Sequence, residues 1–292
     1  MSTTTTTTRV DPAAVRDLYD RNGYYVFRNA LSRDAINAVH ACLERDVYPN
    51  TAPLLRHPAI TKATHTYRQA LDGSKFVANA LYNPHLEAET ERLGKAIVDL
   101  VCCDETGILL EAIDGEPQHT MHQAILFFVS PGTDAHIDGW ALDTVPPGNF
   151  ATMWVPLETI SLRNGPVGVF PWKRGQLLTP EMLGVDLAGK DNRTAYFTYT
   201  DALVRSIKER GISCVVPQLE PGDFIVFSSL TPHATMPPMN EHMRRMALQI
   251  LVRPTQSRWG GILMSRLKGE GSDGDPKASV TVSKRWRAVS HS

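Results

Sequence analysis

The sequence predicts a mainly β protein, an antiparallel double-sheet barrel with a helical flank. Three observations point to it. Helical periodicity is concentrated in the first hundred or so residues. From about residue 106 short apolar runs alternate with Gly and Pro punctuation, as strands and turns do. Hydrophobic residues make up 42% of the 292 and charged residues 21%, enough to build a sizeable core. Helices followed by many short strands is the order such a flanked barrel shows.

The elements follow in order. Residues 1–10 open on a threonine run with no apolar stretch, expected as a disordered leader and not a secretory signal. Asp11 and Pro12 begin a helix in which Val15, Leu18 and Tyr19 share a face, and Gly23 stops it. A short strand is expected over 24–27. Ser32 caps a second helix whose Ile36, Val39, His40 and Leu43 recur at helical spacing. Residues 50–85, with Pro53, Pro58 and Pro84, read as irregular, and a third helix is expected over 86–102. Strands are expected at 107–113, 123–129, 151–156, 168–170, 215–217, 223–227 and 243–252. Turns fit at Pro131-Gly132, Pro146-Pro147-Gly148, Asn164-Gly165 and Pro221-Gly222. Residues 190–212, with Tyr196, Phe197 and Tyr199, read as a lid. The expected organisation is one domain over 11–267, then a flexible loop, centred on 269–276, and a tail over 268–292. No internal repeat is present.

Charge excludes some function classes. Lys plus Arg is 30 and Asp plus Glu is 31, a formal net charge of −1, without the basic excess of a nucleic-acid protein. No run of about 18 apolar residues offers a membrane span. Cys42, Cys102, Cys103 and Cys214 lack CxxC spacing, and an adjacent pair is a poor disulfide. They read as small core residues of a reduced, cytoplasmic protein.

Most of the ten histidines, including His40, His57, His65, His85 and His291, read as packing, loop or tail residues. His136-Ile137-Asp138 differs. On an extended backbone residues i and i+2 point the same way, so an imidazole and a carboxylate converge. Asp134 is also two residues from His136, so alternation alone leaves both carboxylates open. His233, 95 residues after Asp138, supplies a third ligand type. Two His and one carboxylate leave three coordination positions open, as in non-haem Fe(II) oxygenases, although zinc accepts the same ligands. An oxygenase that chelates 2-oxoglutarate also needs a cation for the far carboxylate, and Arg offers a bidentate fork. Arg244 and Arg245 are adjacent and face opposite ways on a strand. The residues alone leave open which points inward.

These motifs, in this order, resemble the phytanoyl-CoA dioxygenase family of Fe(II)/2-oxoglutarate oxygenases over about residues 12–255. The resemblance rests on Leu18-Tyr19-Asp20-Arg21-Asn22-Gly23-Tyr24-Tyr25-Val26, His136-Ile137-Asp138 and Trp154-Val155-Pro156-Leu157. It continues through Asn164-Gly165-Pro166-Val167-Gly168-Val169-Phe170-Pro171, Pro221-Gly222-Asp223-Phe224, His233 and Arg244-Arg245. It implies a double-stranded β-helix (jelly roll, cupin-like) binding Fe(II), 2-oxoglutarate and O2. It implies His136, Asp138 and His233 as metal and catalytic ligands, with Asp138 preferred to Asp134, and Arg244 as the 2-oxoglutarate anchor. Trp154 and Thr235 match positions lining the cosubstrate pocket, and Gln123, on a strand leading to the metal, joins them as a cofactor-binding candidate. Trp172-Lys173-Arg174, Ala234-Thr235 and the apolar Phe127-Phe128-Val129 depart from the family pattern, so a CoA-ester substrate does not carry over.

The implied activity is hydroxylation, or desaturation, epoxidation or cyclisation, of an unactivated C–H in a small organic molecule, a specialised metabolite, with release of succinate and CO2. The related halogenases lack the carboxylate that Asp138 supplies. Substrate contacts are expected from Tyr67, Arg68 and Tyr82 in 60–85 and from Trp140 in 139–148. No nucleic-acid or membrane partner is expected, and the oligomeric state is left open, a homodimer included. Trp259 and Trp286 either pack on the barrel or cover a neighbouring subunit. The alternatives are a non-catalytic metal-binding jelly-roll module and a cupin-like metal hydrolase or isomerase.

Overall fold

The computed structural model describes residues 11–260 and 279–290. The leader (1–10) and the polar loop at 269–276 lie outside the described residues. Helix α1 (Pro12–Asn22) is capped by Asp11, whose carboxylate accepts from Ala13 N at 3.0 Å, and it ends at Gly23, φ 72°. Strand β1 (Tyr24–Phe27) and helix α2 (Arg33–Cys42, capped by Ser32) follow, and a π turn over Leu43–Val47 extends α2.

Residues 50–85, expected as irregular, hold short strands: β2 (Leu54–Arg56), β3 (Thr61–Ala63), β4 (Tyr67–Gln69), β5 (Lys75–Val77) and β6 (Leu81–Tyr82). The third helix, α3 (Glu91–Val101), starts later than expected, because two 3-10 turns over Pro84–Leu86 and Ala88–Thr90 precede it. The strand expected at 107–113 is instead helix α4 (Asp104–Asp114). Asp104 and Glu105 favour its N-terminus, Leu109, Leu110 and Ile113 share its buried face, and Gly115 (φ 85°) ends it.

The remaining elements are β7 (His119–Phe127), β8 (Thr144–Val145), β9 (Ala151–Pro156), β10 (Val167–Val169), α5 (Asn192–Glu209), β11 (Phe224–Ser228), β12 (His233–Thr235), β13 (Ala247–Pro254), β14 (Arg258–Trp259), β15 (Ser279–Thr281) and β16 (Trp286–Val289). The large sheet runs β1-β11-β9-β13-β7-β6-β2-β3. Facing it, β12 pairs with β10, and single bridges add residue 136 beside His233 and Val215 beside Val169. Only that bridge realises the strand expected at 215–217. With β7-β13-β9-β11 as one wall and 136-β12-β10-215 as the other, the chain is a double-stranded β-helix.

The wall strands are apolar on both faces. Leu126, Met153, Val155, Val226, Leu248 and Ile250 face the helices, while Trp154, Ile225, Phe227 and Ala247 face inward with Val167 and Val169. Each fully buried aliphatic side chain contributes roughly 1.5–3 kcal/mol. A register shift at Leu251/Val252 makes room for His122, so Met121 and Ala124 both face the helices and Gln123 faces inward.

Two further expectations are corrected. Helix α5 is not a free lid: Ala195, Tyr199, Leu203 and Ile207 pack on Ala135, Ile137, Trp172 and Leu230. Residues 279–289 of the expected flexible tail form the β15–β16 hairpin, with β16 parallel to β7. Trp286 is fully buried, and its Nε1 donates to Cys103 O at 2.9 Å, an anchor that outweighs the polar residues around it. Trp259 stacks on His122 at 5.0 Å, so both tryptophans pack on their own chain. All four cysteines are free.

Candidate metal centre

Residues 136 and 233 exchange both main-chain hydrogen bonds, at 3.0 and 2.9 Å, which sets their imidazoles side by side with ring centroids 4.4 Å apart. His136 Nδ1 lies 2.8 Å from Asp134 O, and His233 Nδ1 lies 3.1 Å from Thr231 O. A carbonyl only accepts, so each Nδ1 carries the proton and each Nε2 keeps its lone pair for a metal. Asp138 Oδ1 sits 3.6 Å from His233 Nε2, and Asp138 Oδ2 accepts a short hydrogen bond from Thr152 Oγ1. One ligand atom from each of His136, Asp138 and His233 falls within 4.8 Å of the others. Asp134 enters this arrangement through its carbonyl. Burial pushes the His233 imidazolium pKa down to about 4, against the opposing pull of Asp138 and with a smaller push from His136, so the ring is neutral at pH 7.

Neighbouring residues fix the segment. Ala135 and Ile137, alternating with the ligands, are buried against α5. Asp138 begins a 3-10 turn, and Gly139 N donates to Ser229 O at 2.8 Å. A Cβ on Gly139 would lie 2.9 Å from Leu230 Cδ2 and 3.0 Å from Asp143 Oδ2, so a side chain here would push these neighbours aside.

Arg244, the implied anchor, lies at the surface. Its Nε donates to Glu158 at 3.1 Å. The adjacent Arg245 is wholly buried. The strand expected from 243 begins at Ala247, whose inward parity is shared by residue 245 and not by 244. Arg245 donates from Nη1 to Gly165 O at 3.1 Å and from Nη2 to Val129 O at 3.3 Å, while its Nε has no partner among the described residues. Its guanidinium lies 5.3 Å from the centre of the Trp154 ring and 5.6 Å from that of Phe127. Burial pushes its pKa down to about 9, with Glu158 opposing. A buried cation held by carbonyls, with one donor free, suits an incoming carboxylate.

Trp154 therefore lies against the buried Arg245 guanidinium. The Thr235 hydroxyl is engaged locally, with Thr133 N at 2.9 Å and Thr133 Oγ1 at 2.7 Å. Gln123 shares one cross-strand row with Leu251, Thr152 and Phe227. Its Oε1 accepts from Tyr82 Oη at 3.0 Å. Tyr82 stacks on His57 (6.2 Å, 17°), and His57 meets the edge of Phe127 at 5.7 Å. Burial holds the His57 pKa below its usual value, and the charge of Asp138 opposes this. Trp140 packs on Tyr199 at 4.9 Å and Tyr196 at 5.6 Å. Tyr67 and Arg68 are exposed on β4, where the Tyr67 ring contacts His65. Sequence reasoning missed Thr152 and gave His57 only a packing role. A Thr near the start of an apolar strand was the available signal for the first.

The profile of the family described as phytanoyl-CoA dioxygenase (PhyH) matches residues 19–246. No curated protein matches the sequence. Among solved structures, the epimerase SnoN in complex with Fe3+, alpha ketoglutarate and nogalamycin RO is similar, with TM-score 0.60 and 17% identity over 95% of this chain and 99% of that one. The alpha ketoglutarate dependent carbocyclase SnoK from nogalamycin biosynthesis gives 0.57 and 13%, over 95% of each chain. EctD from S. alaskensis with bound Fe gives 0.57 and 19%, over 86% of this chain and 80% of that one. At these identities the likeness is one of fold.

Proposed function

The chain belongs to the phytanoyl-CoA dioxygenase family, and from that premise we propose that it is an Fe(II)/2-oxoglutarate-dependent oxygenase acting on a small organic molecule. The observation that carries this reading is the pairing of two features within one barrel: the His136–Asp138–His233 cluster and the buried, incompletely satisfied Arg245. The donor set fits iron, and the guanidinium fits the far carboxylate of 2-oxoglutarate. When bound, Fe(II) with 2-oxoglutarate supplies the oxidising power, coupling O2 reduction and loss of CO2 to attack on an unactivated C–H bond.

The protein's own groups set the geometry. His136 and His233 offer neutral Nε2 atoms and Asp138 offers Oδ1. Arg245 orients the cosubstrate, with Trp154 and Phe127 walling its path. Tyr82 holds the Gln123 amide through its Oε1, and these two residues with the half-buried His57 and Trp140 form the substrate side. Hydroxylation is the outcome favoured, of a specialised metabolite. The epimerase SnoN and the carbocyclase SnoK share this fold, so epimerisation and ring formation are alternative outcomes. Among the described residues no helix is long and apolar enough to cross a membrane, and the free cysteines suit a reducing, cytoplasmic setting.

The test is the visible spectrum of the apoprotein with Fe(II) and 2-oxoglutarate, without oxygen. A weak charge-transfer band is expected. It should fade in Asp138→Ala, Arg245→Ala and Arg245→Lys and survive in Asp134→Ala and Arg244→Ala. Bound iron with no band in the unmutated protein would overturn the assignment and favour a metal-binding module or a hydrolase.

A further inference from the structure

The Asp138 carboxylate has two oxygens and the ligand cluster uses one. Its Oδ1 faces His233 Nε2 at 3.6 Å, while Oδ2 is taken by the hydroxyl of Thr152. Thr152 is fully buried in β9, paired with Phe227 of β11 on one side and Leu251 of β13 on the other. A β-branched side chain in the middle of a sheet has few rotamers, so the hydroxyl is held by the wall itself. Asp138, by contrast, sits on a short 3-10 turn, and its carboxyl torsion is intrinsically broad. The rigid partner therefore sets the angle of the mobile one.

We propose that Thr152 positions the metal-binding carboxylate: by holding Oδ2 it makes Asp138 a one-oxygen ligand and keeps a coordination position free for the second donor of a chelating 2-oxo acid. This rests on the oxygenase reading above. A facial triad leaves three positions open, and a carboxylate turned to bind through both oxygens would close one of them. The contact is a charge-assisted hydrogen bond to an outer ligand oxygen, a class whose loss typically lowers metal affinity about 10–100-fold.

The experiment compares Thr152→Val, which keeps the shape and deletes the donor, with Thr152→Ser, which keeps the donor. Co(II) binding to each apoprotein is measured by calorimetry and by its visible d–d spectrum, followed by titration with N-oxalylglycine, an unreactive 2-oxoglutarate analogue. Thr152→Val is expected to lose roughly 10–100-fold in Co(II) affinity, to shift the d–d bands and to bind N-oxalylglycine more weakly, whereas Thr152→Ser stays within about threefold of wild type. Wild-type affinity and spectrum in Thr152→Val would overturn the proposal, as would equal losses in Val and Ser, which mark a packing role. Should Thr152→Val fail to fold, Thr152→Cys, with its weak thiol donor, is expected to show the same loss, and wild-type behaviour there overturns the proposal. A wild-type protein that binds Co(II) but gives no response to N-oxalylglycine would instead sink the oxygenase reading, and the Co(II) comparison would still decide Thr152.

Discussion

At the scale of single residues, protonation is controlled by burial and by fixed partners. His65 Nδ1 accepts from Arg56 Nη2 at 2.8 Å, so the opposite nitrogen carries the proton and meets Val47 O at 2.8 Å. Only the neutral ring satisfies both. Burial, aided by Arg56 and opposed by the Val47 carbonyl, holds its pKa below the ordinary value. Below about pH 6.5 the unfolded chain takes up a proton that the folded chain refuses, so this contribution to stability falls as pH falls. Urea midpoints at pH 7.5 and 5.5 should show a smaller acid loss in His65→Gln than in wild type. Strand alternation made His136 and the two carboxylates beside it legible, and the family resemblance preferred Asp138 to Asp134. Which of Arg244 and Arg245 is buried was not legible, because it depends on the parity of a strand that starts at Ala247.

At the scale of elements, the informative cases are those where the sequence pattern is shared by two structures. The apolar run ending at Ile113 suits a strand or a helix, and the acidic first turn and Gly115 resolve it as a helix. The hairpins of 50–85 were hidden because strands of two or three residues carry no measurable period. The β15–β16 hairpin was hidden because one residue anchors it. Trp286 lies between α4 and the large sheet, and Arg285 pairs with Glu111 of α4. Trp286→Ala is expected to cost about 3–5 kcal/mol, read as a lower denaturant midpoint. The metal cluster lies elsewhere on the fold, so Co(II) affinity in the folded fraction should not move.

At the scale of the whole molecule, ligand binding and folding are linked. The three ligand side chains meet only in the closed barrel, so a metal binds the native state and not the unfolded chain. Free metal at about 100 times its Kd adds roughly 2.7 kcal/mol of stability. The thermal midpoint should therefore rise with Fe(II) or Co(II) under anaerobic conditions and return on adding a chelator. In Asp138→Ala the rise should shrink.

The bridge between residues 136 and 233 also orders events in time. The two histidines face each other across a closure of nearly a hundred residues, which forms late because long-range pairing must first overcome chain entropy. A growing chain that has emerged only as far as Asp138 holds two of the three clustered ligands and still lacks His233. Metal uptake at this site thus waits for the last wall of the barrel.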